Sequence, residues 1–156
     1  MRHRNLGFTL IEVLIVVVIM AVLAATIIPQ FTASTDDAKD SAASFNTHSL
    51  RAQIELYKVD HGVYPTITGT AIPGLLNATN AAGATGTGAG YPFGPYVAGE
   101  MPKNPYNSSN TVVDGTGAAE ISGGYGWQYD DATGRIVPNN AKWLTANPQT
   151  QSQSQT

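Results

Sequence analysis

The chain has 156 residues, no cysteine and a formal net charge of −3. That length allows one domain with a modest core. The acidic balance excludes nucleic-acid binding through bulk electrostatics, and the missing cysteines exclude a disulfide framework and thiol chemistry. Only 12% of residues are charged, about half the usual share, while 16 glycines and nine prolines indicate a loop-rich globular part.

The N-terminal region combines a short basic segment with a long apolar run. Residues 1–7 carry Arg2 and Arg4, and residues 8–28 contain one ionisable side chain, Glu12. A bilayer-spanning helix needs about 20 apolar residues, so this run is long enough to cross a membrane. The preceding arginines predict a cytoplasmic N-terminus and a single pass through the inner membrane.

Pro29 directly follows the apolar run. A proline inside a helix removes a donor and clashes one turn back, which predicts a kink or local melting over residues 26–29. Capping residues at 34–36 predict that the helix then resumes. The long helix is therefore expected in two halves, a membrane or filament-core half at 8–33 and an amphipathic half at 34–61.

The amphipathic half has one apolar stripe, which ends where Gly62 and Pro65 favour a stop. A globular domain is expected over residues 62–145, with a low-complexity, flexible surface insertion at 78–90. Residues 146–156 are polar and uncharged, so a disordered tail is expected there. The stripe consists of Ala43, Leu50, Ile54 and Tyr57.

Residues 124–138 have the pattern of a β-hairpin. Aromatic residues alternate with smaller or polar ones, residues 131–134 suit a turn, and a return strand begins at Arg135. Val112 and Val113 are predicted to supply a third, short strand. The predicted fold class is α+β, with a long bent N-terminal helix packed on a small, loop-rich antiparallel sheet.

The N-terminus differs from an ordinary secretory signal, in which cleavage follows the apolar core. Here the small residue Gly7 precedes the run, so cutting after it would leave the apolar segment on the product. The string GFTLIE at residues 7–12 resembles the class III signal of type IV pilins and type II secretion pseudopilins. The resemblance implies cleavage after Gly7 by a prepilin peptidase, N-methylation of Phe8, and a helix-breaking role for Pro29.

Glu12 is the charged residue of the apolar run. A carboxylate inside a membrane segment costs about 2.5–3.5 kcal/mol on insertion scales and usually has a partner. The resemblance implies pairing with the Phe8 amine of a neighbouring copy, which leads to the hypothesis that Glu12 sets the axial register during assembly. The alternative is a carboxylate that extends to the membrane interface.

Two further segments resemble secretion-type pilin-like proteins. Residues 57–66 (YKVDHGVYPT) look like the end of the long helix in major pseudopilins, and residues 124–134 resemble a terminal hairpin. Major pseudopilins commonly hold calcium in a loop near the C-terminus, which the resemblance makes a candidate cofactor here. Its candidate ligands are Asp114, Asp130 and Asp131, although their spacing matches no loop motif and solvated turn carboxylates are the alternative.

The sequence contains no phosphate-binding loop, nucleophile elbow or close histidine pair, so an enzyme is not expected. The predicted function is a structural filament subunit, a type II secretion pseudopilin that drives protein secretion. Its expected partners are copies of itself, the inner membrane, the prepilin peptidase, minor pseudopilins, an assembly ATPase and platform proteins, without nucleic acid. The globular domain is expected in the periplasm, and the filament in the periplasm or on the cell surface.

The sequence leaves two alternatives open. One is a type IV or competence pilin for adhesion, motility or DNA uptake. The other is a signal-anchored membrane protein of unrelated function, in which Met1 would be retained.

Overall fold

The computed structural model describes residues 7–147, and within residues 27–33 it describes the backbone only. The first six leader residues and most of the predicted disordered tail lie outside this range. The chain divides into two compact units, Met1–Ala38 and Lys39–Thr156. In chain order the elements are α1 (Leu10–His61), α2 (Pro73–Leu76), β1 (Val112–Asp114), β2 (Trp127–Asp130), β3 (Arg135–Pro138) and α3 (Ala141–Ala146).

Helix α1 runs through Pro29 without a non-helical residue. The predicted local melting over residues 26–29 is therefore wrong, and residues 34–36 lie inside the helix instead of capping a second one. A proline removes a single backbone donor, and the turns on either side keep their own hydrogen bonds. The Thr26 hydroxyl also donates to the carbonyls of Val22 (3.1 Å) and Leu23 (3.0 Å). The predicted bend stays a prediction.

In the first unit, the apolar side chains of α1 are uncovered. Every residue from 7 to 26 is exposed, including Phe8 and the run of Val, Ile and Leu residues that follows it. Across the part of the chain that the structure describes, no helix combines the length and apolarity required to cross a membrane.

The sheet of the second unit is mixed, with strand order β1-β2-β3. Strands β2 and β3 form the predicted antiparallel hairpin around residues 131–134, and Val112 pairs with Trp127 in a parallel β1–β2 ladder. The expectation of an entirely antiparallel sheet is wrong for β1. Residues 115–126 join β1 to β2, and a connection of about a dozen residues lets the chain return to the same end of the sheet, as parallel strands require. We call this segment the crossover loop.

The core of the second unit lies between the amphipathic half of α1 and the sheet. The predicted stripe is buried: Leu50, Ile54 and Tyr57 join the main cluster, and Ala43 joins a smaller one. Burying each large side chain contributes about 1.5–3 kcal/mol, so this face anchors the helix to the sheet. The other members of the main cluster are Ile72, Leu75, Met101, Val112, Trp127, Tyr129 and Ile136.

The low-complexity segment 78–90 is tied to the domain by backbone pairing. Thr79 is fully buried and exchanges two backbone hydrogen bonds with Phe93, at 2.8 and 3.1 Å. The sequence predicted a flexible surface insertion because small residues carry no apolar pattern, but backbone groups pair regardless of side chain.

Helix α3 was not predicted. Its N-cap, Asn140, accepts a hydrogen bond from the backbone N–H of Trp143 at 3.0 Å, and Trp143 and Leu144 are buried. A six-residue helix shows little periodicity, so its packing rather than its pattern defines it.

Candidate functional site

The N-terminal segment carries the predicted processing and assembly residues. Gly7 and Phe8 precede α1, and the Phe8 side chain is 87% exposed. Thr9 is the residue before the helix, and Glu12 lies in its first turn. The processing roles of Gly7 and Phe8 stay predictions, while their exposure leaves this segment uncovered by the rest of the described chain.

Thr9 and Glu12 form a reciprocal capping pair. One Glu12 oxygen, Oε2, accepts hydrogen bonds from the Thr9 backbone N–H and from its hydroxyl, both at 2.7 Å. The Thr9 hydroxyl in turn accepts from the Glu12 backbone N–H at 3.3 Å. This is the capping box, in which two groups without intrahelical partners satisfy one another.

The capping box changes how Glu12 is understood. Sequence reasoning treated it as a carboxylate awaiting a cation, although the Thr-x-x-Glu spacing that signals a capping box is visible in the string. The carboxylate is also favourably placed against the positive end of the helix dipole. Glu12 therefore already has a local structural role, and any pairing with another copy must coexist with that role or replace it.

The end of α1 is built as residues 57–66 predict. Tyr57 is buried in the core, and Gly62 adopts a φ of 76°, which suits a residue without a Cβ just past a helix. The carbonyl of Pro65 accepts a hydrogen bond from the buried Tyr129 hydroxyl at 2.8 Å. This contact ties the exit from the helix to the centre of the sheet.

An aromatic cluster surrounds His61 at the C-terminus of α1. The ring of His61 lies 4.1 Å from that of Tyr57 and 5.1 Å from that of Phe93, measured between centroids. The Tyr96 hydroxyl donates to Asp60 at 2.7 Å and lies 3.2 Å from Nε2 of His61. Burial and the bond to Asp60 raise the pKa of Tyr96 to about 12. The cluster fastens the loop that contains Phe93 and Tyr96 to the C-terminus of α1.

The three candidate calcium ligands do not converge. Asp130 accepts bonds from the backbone N–H of Ala132 (3.0 Å) and the hydroxyl of Thr133 (2.8 Å), so both its carboxylate oxygens serve the hairpin turn. Asp114 and Asp131 are exposed. Within the described range, no group of three or more carboxylate or histidine side chains is placed to hold a metal. The residues present therefore do not fit a calcium ion, which takes six to eight oxygens.

An exposed N-terminal helix with an acidic first turn, joined to a small mixed sheet, defines a pilin-like class of chain. Comparison with protein-family models supports this class in both parts of the sequence. Residues 2–28 match the prokaryotic N-terminal methylation motif, and residues 30–122 match type II secretion system protein G. The second match covers more than half of the chain. The chain belongs to the type II secretion system protein G family, which confirms the predicted pseudopilin resemblance.

Curated relatives carry the same name. The type II secretion system core protein G of Klebsiella pneumoniae is 30% identical over 71% of this chain and 76% of its own length. The protein of that name from Aeromonas hydrophila is 30% identical over 69% of this chain and 71% of its own. The one from Pseudomonas aeruginosa is 40% identical, but the match spans 42% of this chain and only 46% of that relative. No solved structure matches the chain.

Proposed function

We propose that this chain is a pseudopilin subunit that assembles from the inner membrane and drives type II protein secretion. The prepilin peptidase cleaves after Gly7, residues 8–28 anchor the product in the membrane, and the globular part lies in the periplasm. Copies then polymerise, with minor pseudopilins, an assembly ATPase and platform proteins as partners. Family membership supports the pathway, and the residues described above support the mechanical role.

The exposed apolar surface of residues 8–26 carries this proposal. Soluble monomers rarely expose contiguous apolar patches larger than a few hundred Å², and larger ones mark membrane or protein contacts. Here large side chains such as Leu10, Ile11 and Met20 are each more than 60% exposed. Lipid covers this surface before assembly, and sister chains cover it in the filament.

The second unit shows a further apolar stripe on α1. Phe45, Leu56 and Val59 are exposed by 74, 48 and 79%. At about 100° per residue they lie on one face, roughly opposite the buried stripe that contains Leu50 and Ile54. A helix that is already buried on one face and still apolar on the other favours contact with a neighbouring copy.

Glu12 sets the register in this proposal. Its carboxylate accepts bonds only from Thr9 among the described residues. Cleavage creates a positive amine at Phe8, and a charged pair in a low-dielectric surrounding attracts more strongly than in water. If the Glu12 carboxylate leaves its own cap and pairs with the Phe8 amine of a neighbouring copy, that pairing stabilises one axial offset between the copies.

Two matched substitutions separate the charge from the cap. Glu12→Gln keeps an acceptor that capping boxes tolerate but removes the charge, while Glu12→Ala removes both. We expect both variants to be processed normally, and both to lose filament assembly and secretion in the native host. Filament yield, secreted protein and the mass of the mature N-terminus are the readouts. Assembly of Glu12→Gln at the wild-type level would show that capping, and not charge pairing, is the function of Glu12.

The wider proposal has its own test. Mass spectrometry of the chain from membranes should find a methylated N-terminus at Phe8. An intact Met1, together with normal secretion after deletion of the gene, would overturn the assignment as a secretion subunit and revive an uncleaved membrane anchor.

A further inference from the structure

The crossover loop, residues 115–126, is held by side chains of the sheet and of the residue after it. Four of its carbonyl oxygens accept hydrogen bonds from side-chain nitrogens of the sheet and of Asn139, and a fifth, that of Gly126, accepts from Asn104 at 2.6 Å. Gln128 donates to Ala119 at 2.7 Å, and Arg135 donates to Thr116. Asn139 donates to Ile121 at 2.8 Å and to Tyr125 at 3.1 Å.

Two loop N–H groups are satisfied by the same amides. The Gly117 N–H donates to Oε1 of Gln128 at 2.9 Å, and the Ile121 N–H donates to Oδ1 of Asn139 at 2.8 Å. The two side chains are also bonded to each other, since Nε2 of Gln128 donates to Oδ1 of Asn139 at 2.7 Å. The loop is therefore fastened by one connected network.

The amide network is buried and complete. Gln128 and Asn139 are 1 and 2% exposed. Each side-chain amide has two N–H donors and one carbonyl acceptor, and every one of these has a partner in the bonds above. A buried polar network in which every member is satisfied is rigid, whereas a partly satisfied one is costly. The amide oxygens of Gln128 and Asn139, which are the atoms that a cation would bind, already accept hydrogen bonds.

The positive charge that faces the loop is the guanidinium of Arg135. The Arg135 guanidinium bonds to the Thr116 carbonyl, and its Nη2 would lie 3.0 Å from a Cβ at Gly117. Gly117 has a φ of 70°, so glycine at this position permits both the backbone turn and the close approach of the guanidinium. Because the guanidinium carries a positive charge next to the loop backbone, it would repel a divalent cation bound there.

We propose that the guanidinium of Arg135 and the amides of Gln128 and Asn139 replace calcium in this loop, so that the folded chain neither requires nor binds that ion. In the resemblance described above, a calcium ion gathers loop oxygens near the C-terminus. Here five of the loop carbonyls already have N–H donors. The aspartates that would supply charge are exposed or engaged in the hairpin turn. The chain keeps its loop ordered without a metal-dependent step.

The first test compares the full mature chain in detergent with EDTA, with calcium and with magnesium. Calcium at about 10 mM exceeds the dissociation constants of even weak extracellular calcium modules, which are about 10⁻³ M. A bound ion at tenfold its dissociation constant would raise the Tm by roughly 5 °C. We expect the three melting curves to agree within about 1 °C of one another. A calcium-specific rise, absent with magnesium, would overturn the proposal.

The second test removes the network. Asn139→Ala deletes bonds to two loop carbonyls, and we expect a Tm decrease of more than about 5 °C in EDTA that calcium does not restore. The matched control is Asn80→Ala, since Asn80 closes a turn at residues 80–84 away from this loop. If Asn139→Ala fails to fold, Arg135→Gln provides a milder variant with the same expectation of a calcium-independent loss. Equal Tm values for the loop variants and the control would refute the role of the network.

Discussion

Gly134 allows a sharp test of how the hairpin meets the end of α1. Its φ is 71°, and a Cβ there would lie 2.6 Å from Cζ of Tyr64, closer than real side chains come. The Tyr64 hydroxyl receives a hydrogen bond from Nζ of Lys58 at 2.9 Å, so displacing the ring disturbs that contact. For Gly134→Ala, the positive φ costs about 1–2 kcal/mol and the displaced ring about 1–3 kcal/mol, which together reduce the free energy of unfolding by about 2–5 kcal/mol.

A matched glycine isolates the two contributions. Gly124 has a φ of 73° with nothing within 4 Å of its missing Cβ, so Gly124→Ala should cost only the backbone part, about 1–2 kcal/mol. Urea unfolding of the purified chain, followed by fluorescence of the buried Trp127 and Trp143, measures both values. With Tyr64→Ala as background, Gly134→Ala should cost no more than Gly124→Ala. Equal losses for Gly134→Ala and Gly124→Ala in the wild-type background would refute the predicted contact with Tyr64.

Three other outcomes are expected. Tyr129→Phe leaves the buried carbonyl of Pro65 without its donor and should lower the free energy of unfolding by about 1–3 kcal/mol in the same urea assay. The pKa of Tyr96, raised to about 12, means that the unfolded chain releases this proton first, from about pH 10. Stability should therefore be retained below pH 10 and decrease between pH 10 and 12, and melting curves of Tyr96→Phe should show a shallower decrease than wild type. Asn140→Ala removes the cap on the Trp143 N–H and should lower stability by about 1 kcal/mol, measured by urea unfolding, whereas Asn140→Ser should retain most of it.

Helices and strands were predicted correctly where a periodic apolar pattern was followed by residues that end a helix or form a turn. The stripe that ends at Tyr57, followed by Gly62 and Pro65, predicted both the buried face of α1 and its end. Alternating aromatics followed by a turn at residues 131–134 predicted the β2–β3 hairpin in the same way. Both signals arise from neighbours in sequence, which is why they can be read without the fold.

Other features depend on partners distant in sequence. The parallel pairing of β1 with β2 depends on the path of residues 115–126, and no local pattern distinguishes it from an antiparallel pairing. The contacts of His61 with Phe93 join residues 32 positions apart. The capping box of Glu12 is a different case. Its Thr-x-x-Glu spacing is visible in the sequence, but Glu12 was interpreted as a charge in an apolar segment and not as a capping residue.

The sequence by itself determined the apolar N-terminal run with its single carboxylate, the glycine before it, and the face of α1 that is buried, because these follow from composition and spacing along the chain. Only the tertiary structure decided the direction of β1 and the partners of Gln128, Arg135 and Asn139. These partners belong to segments that are distant in sequence, so they are defined only when the folded backbone brings the segments together. Whether a metal ion could bind among them depends on the same tertiary contacts.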